Sequence, residues 1–255
     1  MRTEFRIGTA GWSIPKIARD DFFGADVVKP DHLAAYSSEF AGVELNSPFH
    51  KDPLAKTYEK WAATTPDYFQ FSVKLAKRFT HLQKLKVDAT DLAQVLGDIQ
   101  QLREKLGTIL IQIPPKLKFD QECAEDFFAT FRELHDGFVV FEARHESWAN
   151  REATRILEDH RIARVIADPD KLGPAAEIRS AGIAYFRLHG SPKVYYDAYD
   201  DKTLEAWIGR VYEARKRHEH VWCIFDNTAQ GFATPNAVDM QRKLRGLIST
   251  PASPA

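Results

Sequence analysis

The stretch VWCIFDNTAQGFATPNAVDMQRKLRGLI, residues 221–248, decides the fold, because it is the last repeat of a pattern that fills the chain. Val221–Phe225 is a short β-branched and aromatic run of strand type. A polar turn follows, and residues 235–248 carry apolar groups at helical spacing, with Pro235 suited to a first helical turn. Working back along the chain, seven more strand-like runs occur at Arg6–Thr9, Gly42–Leu45, Phe69–Lys74, Thr108–Ile113, Phe138–Glu142, Arg164–Ala167 and Ala184–Leu188. Helical stretches lie between them at 30–40, 53–63, 90–106, 121–135, 150–160 and 201–218, with a weaker one near 173–181. Asp31, Asp52 and Asp120 stand where helix-capping residues belong. Such alternation marks an α/β fold with a parallel sheet, and eight units close a (β/α)8 barrel. An open doubly wound sheet gives the same alternation; the barrel is preferred because the eighth unit ends almost where the chain ends. The expectation is one TIM-barrel domain over 1–248 and a disordered tail over 249–255, whose Ser, Thr, Pro and Ala have no face to bury.

Composition narrows the function classes. A chain of 255 residues with 44% hydrophobic content can close a full core. Lys and Arg total 35 against 36 Asp and Glu, a formal charge of -1, so no whole-surface attraction to nucleic acid or acidic lipid exists and any anion site must be local. Cys123 and Cys223 form neither a disulfide framework nor a zinc motif. No apolar run approaches the roughly 18 to 20 residues of a membrane span, and no leader pattern precedes the first strand, so a cytoplasmic location without membrane contact is expected.

In a barrel, residues at the strand C-termini converge on one mouth. Here those ends carry Trp12, Glu44, Asn46, Lys74, Gln112, Glu142, Arg144, His145, Asp168, Arg187, His189 and the pair Asp226 and Asn227. The period of two places Glu44 with Asn46, Glu142 with Arg144, and Arg187 with His189 on common faces. Glu142–Arg144 and Asp168–Arg187 also read as simple ion pairs, and Trp12 and Trp148 as packing. Buried charge is costly unless paired, however, so this convergence of carboxylates, cations and a histidine points to a site. Two long loops, 75–90 and 189–200, exceed the roughly two to six residues usual after a barrel strand and bring His81, Tyr195, Tyr196 and Tyr199 to its rim.

The strings IGTAGWS at 7–13, VELNSPF at 43–49, FSVK at 71–74, IQIPP at 111–115, FEARHESW at 141–148, RLHG at 187–190 and FDNTAQGFATPNA at 225–237 together resemble the family called domain of unknown function 72, whose members are also described as YecE-like. The resemblance runs from about residue 6 to 245. It implies a TIM barrel with a polar site at the strand C-termini, and no settled activity. Two positions depart from the pattern: Asp226 stands where Asn is expected, and Pro48 alters the expected Thr or aromatic pattern around Ser47 and Phe49.

The first functional expectation is an enzyme with hydrolase-like acid/base chemistry on a small phosphorylated or otherwise anionic substrate, such as a nucleotide or phosphate ester. Glu44, Glu142, Asp168 and His189 are its catalytic candidates. Trp12, Asn46, Lys74, His81, Gln112, Arg144, His145, Arg187, Tyr199 and Asn227 are its substrate-binding candidates, with arginine and lysine holding phosphate oxygens. The alternatives are a glycosidase-like hydrolase using Glu44 and Glu142 as its carboxylate pair, and a barrel that binds an anion without reacting. No cofactor is expected: Glu44, Glu142, Asp168 and His189 are a donor set of the magnesium or manganese kind, but the neighbouring cations compete for them. No protein partner can be inferred.

Overall fold

The structure, a computed structural model, describes residues 3–15, 18–19, 22, 32–173, 178 and 181–249. Its strands are β1 (Glu4–Thr9), β2 (Gly42–Leu45), β3 (Gln70–Lys74), β4 (Leu106–Gln112), β5 (Val139–Glu142), β6 (Ala163–Arg164), β7 (Ile166–Asp168), β8 (Ile183–Leu188) and β9 (His220–Phe225). All neighbours are parallel, in the orders β1-β9-β8-β7 and β2-β3-β4-β5-β6. The expected sixth strand is β6 and β7 in succession. Its partner changes at Val165, whose N–H still donates to Phe141 O at 2.9 Å, so β5 is left behind and β8 is picked up without the chain leaving the wall.

The other seam lies between β1 and β2. Ala10 bridges Glu44, and Gly11 N–H donates to Glu44 O at 2.8 Å. Deeper in the wall the Tyr36 hydroxyl replaces the ladder: it accepts from Thr9 N–H at 2.9 Å and donates to Gly42 O at 3.3 Å. Gly8 allows this approach, since a Cβ there would lie 2.1 Å from Gly42 O. Eight strand positions therefore run round a (β/α)8 barrel, as the alternation predicts.

The helices pack outside at His32–Glu39, Ala55–Thr64, Ala89–Ile99, Gln121–Leu134, Arg151–Asp159, Asp201–Ala214 and Ala233–Ser249. Asp120 caps its helix by accepting from Cys123 N–H at 3.0 Å. Asp52 does not cap; it pairs with Arg78, and the helix begins at Ala55. The expected helix over 90–106 gives way after Ile99 to tighter turns, with Arg103 at φ +53°, because Lys105 turns back to donate to the carbonyls of Ala62 and Thr65. Ser249, expected in the tail, ends the last helix; 250–255 lie outside the described residues, as do Asp31 and most of the expected weak helix near 173–181. No helix among the described residues is long and apolar enough to cross a membrane.

Inside the barrel the indole of Trp222 crosses from β9 towards β2 and β4, where only glycine fits: a Cβ on Gly107 would lie 2.4 Å from Trp222 Cζ2, and one on Gly42 2.9 Å from Cζ3. The ring of Tyr185 stacks near it, with centroids 5.9 Å apart. These two aromatics plug the barrel beneath the charged layer at the strand ends, in the layered manner of such interiors.

Tyr36→Phe strips both partners from the β1–β2 seam and is expected to lower stability by about 1 to 3 kcal/mol, the cost of leaving buried backbone polar groups unpaired. Gly97→Ala, in a helix where an added Cβ meets nothing within 4 Å, is expected to move the other way by up to about 1 kcal/mol. Urea denaturation of the two variants checks both signs; an unchanged Tyr36→Phe removes the hydroxyl from the closure of the barrel.

Candidate active site

Arg187, on β8, sits at the centre of the mouth and is fully buried. Its guanidinium reaches three carboxylates. Nε donates to Glu44 Oε2 at 2.9 Å and Nη2 to Glu44 Oε1 at 2.7 Å; Nη1 donates to Glu142 Oε2 at 2.5 Å and Nη2 to Asp226 Oδ2 at 3.0 Å. Tyr185, two residues earlier on the same face, donates to Glu44 Oε2 at 2.9 Å, and its hydroxyl lies 2.7 Å from Ser72 Oγ. Arg187, fully buried, gives four of its five N–H donors to carboxylates, and the sequence-based role as a phosphate clamp gives way to that of a central tie. Glu44 has both oxygens held and no exposure.

Around this tie the protonation states diverge. Burial works against an ionised Glu142, but Arg187, the neighbouring His189 and Arg144 hold its carboxyl well below the usual range. Asp226 is likewise lowered, with Arg187 and His189 outweighing burial. His189 has Nδ1 3.0 Å from Asp226 Oδ2 and Nε2 3.5 Å from Glu142 Oε1. Burial opposes its charge, yet these two carboxylates raise its pKa and favour the imidazolium. Arg144 donates through Nε and Nη2 to Glu142 Oε1, both at 2.9 Å, and through Nη1 to the Tyr195 hydroxyl at 3.1 Å. Tyr195 is held at φ +71°, a left-handed backbone that costs a non-glycine residue about 1 kcal/mol or more, and its ring lies edge-on to His189 at 5.4 Å.

Lys74, at the end of β3, differs from the other cations. Its Nζ lies 4.2 Å from the centroid of Phe49, and among the described residues it makes no hydrogen bond and no ion pair. Burial, then Arg187, push its pKa down to about 8 against the pull of Glu44, Asp226 and Glu142. His81 stands nearby, edge-on to Phe49 at 5.0 Å, with Nδ1 2.8 Å from Thr80 Oγ1. Burial, then Lys74 and Arg144, lower its pKa and favour the neutral ring.

The remaining candidates divide. Asn46 Oδ1 is buried without a hydrogen-bond partner, and Gln112 is buried in register with Glu142. Trp12, partly exposed, packs edge-on to Trp61 at 5.3 Å. Four others serve the frame. Asp168 does not meet Arg187; it accepts from the Tyr199 hydroxyl at 2.7 Å, which in turn accepts from Gly190 N–H at 2.9 Å, so buried Tyr199 straps its loop down and reaches no substrate. Asn227 donates to Asp197 O and Asn236 Oδ1, both at 3.0 Å. His145 caps the turn Glu146–Trp148 by accepting from Ser147 N–H at 3.1 Å. Sequence reasoning placed Asp226 at a strand end without giving it a role, and missed Tyr185 and Ser72, although the period of two from Arg187 and Lys74 marks both. No group of three or more His, Cys, Asp or Glu among the described residues is arranged to hold a metal ion.

Arg187→Met is expected to cost about 3 to 5 kcal/mol at neutral pH, because it leaves buried carboxylates uncompensated. The sign with pH follows. In the native protein Glu142 and Asp226 are lowered, so their contribution is present above the ordinary carboxylate range and is lost as pH falls through their folded values. Without the guanidinium, burial prevails and raises them, so the variant recovers stability as pH falls from 7 towards 5. Urea melts across that range should show the gap between the two proteins narrowing; a constant gap defeats this account.

Comparison with known proteins agrees with the architecture. The chain is 24% identical over 268 residues to the UPF0759 protein YunF of Bacillus subtilis, covering 92% of each. Among solved structures, a DUF72 family protein of Thermotoga maritima superposes with TM-score 0.77 at 24% identity, covering 94% of this chain and 99% of that one. A DUF72 family protein of Enterococcus faecalis gives TM-score 0.77 at 18% identity, with 99% and 100% covered. The model of the family described as protein of unknown function DUF72 matches residues 6–255. With a match over nearly its whole length, this chain belongs to the DUF72 family.

Proposed function

We infer that the protein is an enzyme that receives a small anion at the barrel mouth, on Lys74 and Arg144, and works on it by proton transfer between His189 and His81. The observation that carries this reading is Lys74: a largely buried cation with no counterion among the described residues, in a layer where the other cations are paired. A protonated Lys74 lacks one negative partner, which an anionic ligand supplies. Arg144 is tied to Glu142 on one edge only, and its side chain keeps 22% of its exposure.

The proton-handling groups are identified by environments that push like residues apart. His189, raised by its carboxylates, is the acid; its Nε2 is buried with no hydrogen bond and borders a pocket of about 200 Å³ that Arg144 and Tyr195 also line. His81, lowered by burial and by two cations, is the base. This reading moves the catalytic roles away from Glu44, Glu142 and Asp168, which hold the frame. The glycosidase alternative loses support from the same geometry: Glu44 and Glu142 share one guanidinium, which occupies the space that a sugar or water would need.

Thermal shift with phosphate, phosphate esters and small carboxylates tests the binding half. A ligand at 100 times its Kd stabilises by about 2.7 kcal/mol, enough to move Tm by several degrees. Wild type and His81→Gln should respond, whereas Lys74→Met and Arg144→Gln should fold and not respond. Silence of the wild type across the panel overturns the anion site.

A further inference from the structure

We propose that Lys74 is a covalent nucleophile, whose amine condenses with the carbonyl of a small 2-oxo acid while Arg144 takes the carboxylate. The proposal rests on the anion site just described and names the class of substrate it would hold. Three features of the geometry carry it. First, the Lys74 amine is unoccupied: among the described residues it neither donates to a carbonyl nor meets a carboxylate, and it lies over the face of Phe49. Second, Lys74 stands one step above Ser72 on the face where Ser72 meets Tyr185, itself one step below Arg187, and that guanidinium is fully buried and fixed by Glu44, Glu142 and Asp226. A lysine desolvated next to a locked cation is the established way to keep an amine unprotonated and reactive. The lowering of Lys74 to about 8 is the thermodynamic side of the same placement. Third, a second cation serves the carboxylate without engaging the amine. Arg144 holds one oxygen of the Glu142 carboxylate whose other oxygen Arg187 holds, so it too stands beside the central guanidinium.

The chemistry balances without a cofactor. The Nζ lone pair attacks the carbonyl carbon, a C–N bond forms, and the carbonyl π pair moves to oxygen, which takes a proton from the His189 imidazolium. His81 accepts the proton released from nitrogen and can return it to the hydroxyl, which departs as water. The product is an imine of Lys74, protonated in the charged mouth. Its nitrogen then draws electrons from the adjacent carbon, so a neighbouring C–H or C–C bond is weakened. No oxidant or reductant enters.

The test is reductive trapping on the intact protein. Pyruvate with sodium cyanoborohydride at neutral pH, followed by peptide mapping, should label Lys74 on the order of 100-fold faster than exposed Lys56 and Lys202, as the fall from 10.5 to about 8 dictates. Lys74→Arg, which keeps charge and length, should show no adduct at position 74. Lactate, the same anion without a carbonyl, should slow the labelling and raise Tm by itself. Labelling of Lys74 no faster than Lys56 overturns the covalent role, and the wild-type map decides this even if the variant fails to fold. The two readings separate cleanly: a Tm response to lactate without trapping leaves the anion site and removes the nucleophile, whereas rapid trapping that lactate does not slow keeps the nucleophile and removes the anion site.

Discussion

A buried guanidinium held by three carboxylates is the interaction on which the rest of this structure depends. Removing an arginine side chain and its carboxylate partners from water costs several kcal/mol per ion, and only near-complete hydrogen bonding offsets it. Arg187 meets that condition by reaching strands β2, β5 and the end of β9 from its own place on β8. Those strands belong to both curved halves of the wall, so one side chain ties the halves together directly above the Tyr185 and Trp222 plug. The tie also occupies the axis of the mouth. Any chemistry is thereby displaced from the centre, where the paired glutamates lie, to the ring of side chains around it.

The same fixed charge sets the protonation of that ring. Arg187 lowers Glu142 and Asp226 against burial, and the resulting carboxylates raise His189. On the other side, Arg187 adds to burial in lowering Lys74, and Lys74 with Arg144 adds to burial in lowering His81. His189 is therefore moved up, and His81 and Lys74 down, in directions that follow from burial, one permanent cation and its partners. The proposed acid, base and amine need this kind of asymmetry, since identical environments would leave the two histidines in the same state.

Much of this was legible in the sequence, and the boundary is physical. Strand-like runs and helical periods carry their own signature, so all eight barrel positions were read correctly. The convergence of Glu44, Lys74, Glu142, Arg187 and His189 followed from the rule that strand ends share one face. What sequence could not supply was partner choice. Asp168 and Asp226 both stand at strand ends, and nothing local says that the first is taken by Tyr199 and the second by Arg187. Nor does any pattern announce that the Tyr36 hydroxyl stands in for a ladder bond, or that Tyr199 is buried while Tyr195 reaches Arg144. Those outcomes depend on loop paths, and loops have no period to read.

The charge count of the mouth gives the last constraint. Glu44, Glu142 and Asp226 face Arg187, Arg144 and His189, whose pKa is raised, so the frame balances without Lys74 whenever His189 carries its proton. A protonated Lys74 is then the unbalanced charge, and an anion seated on it would raise its pKa and hold the proton in place. An anion seated on Arg144 instead leaves that proton free to depart. The order of the two cations around the mouth thus decides whether a carboxylate silences the amine or is held beside it.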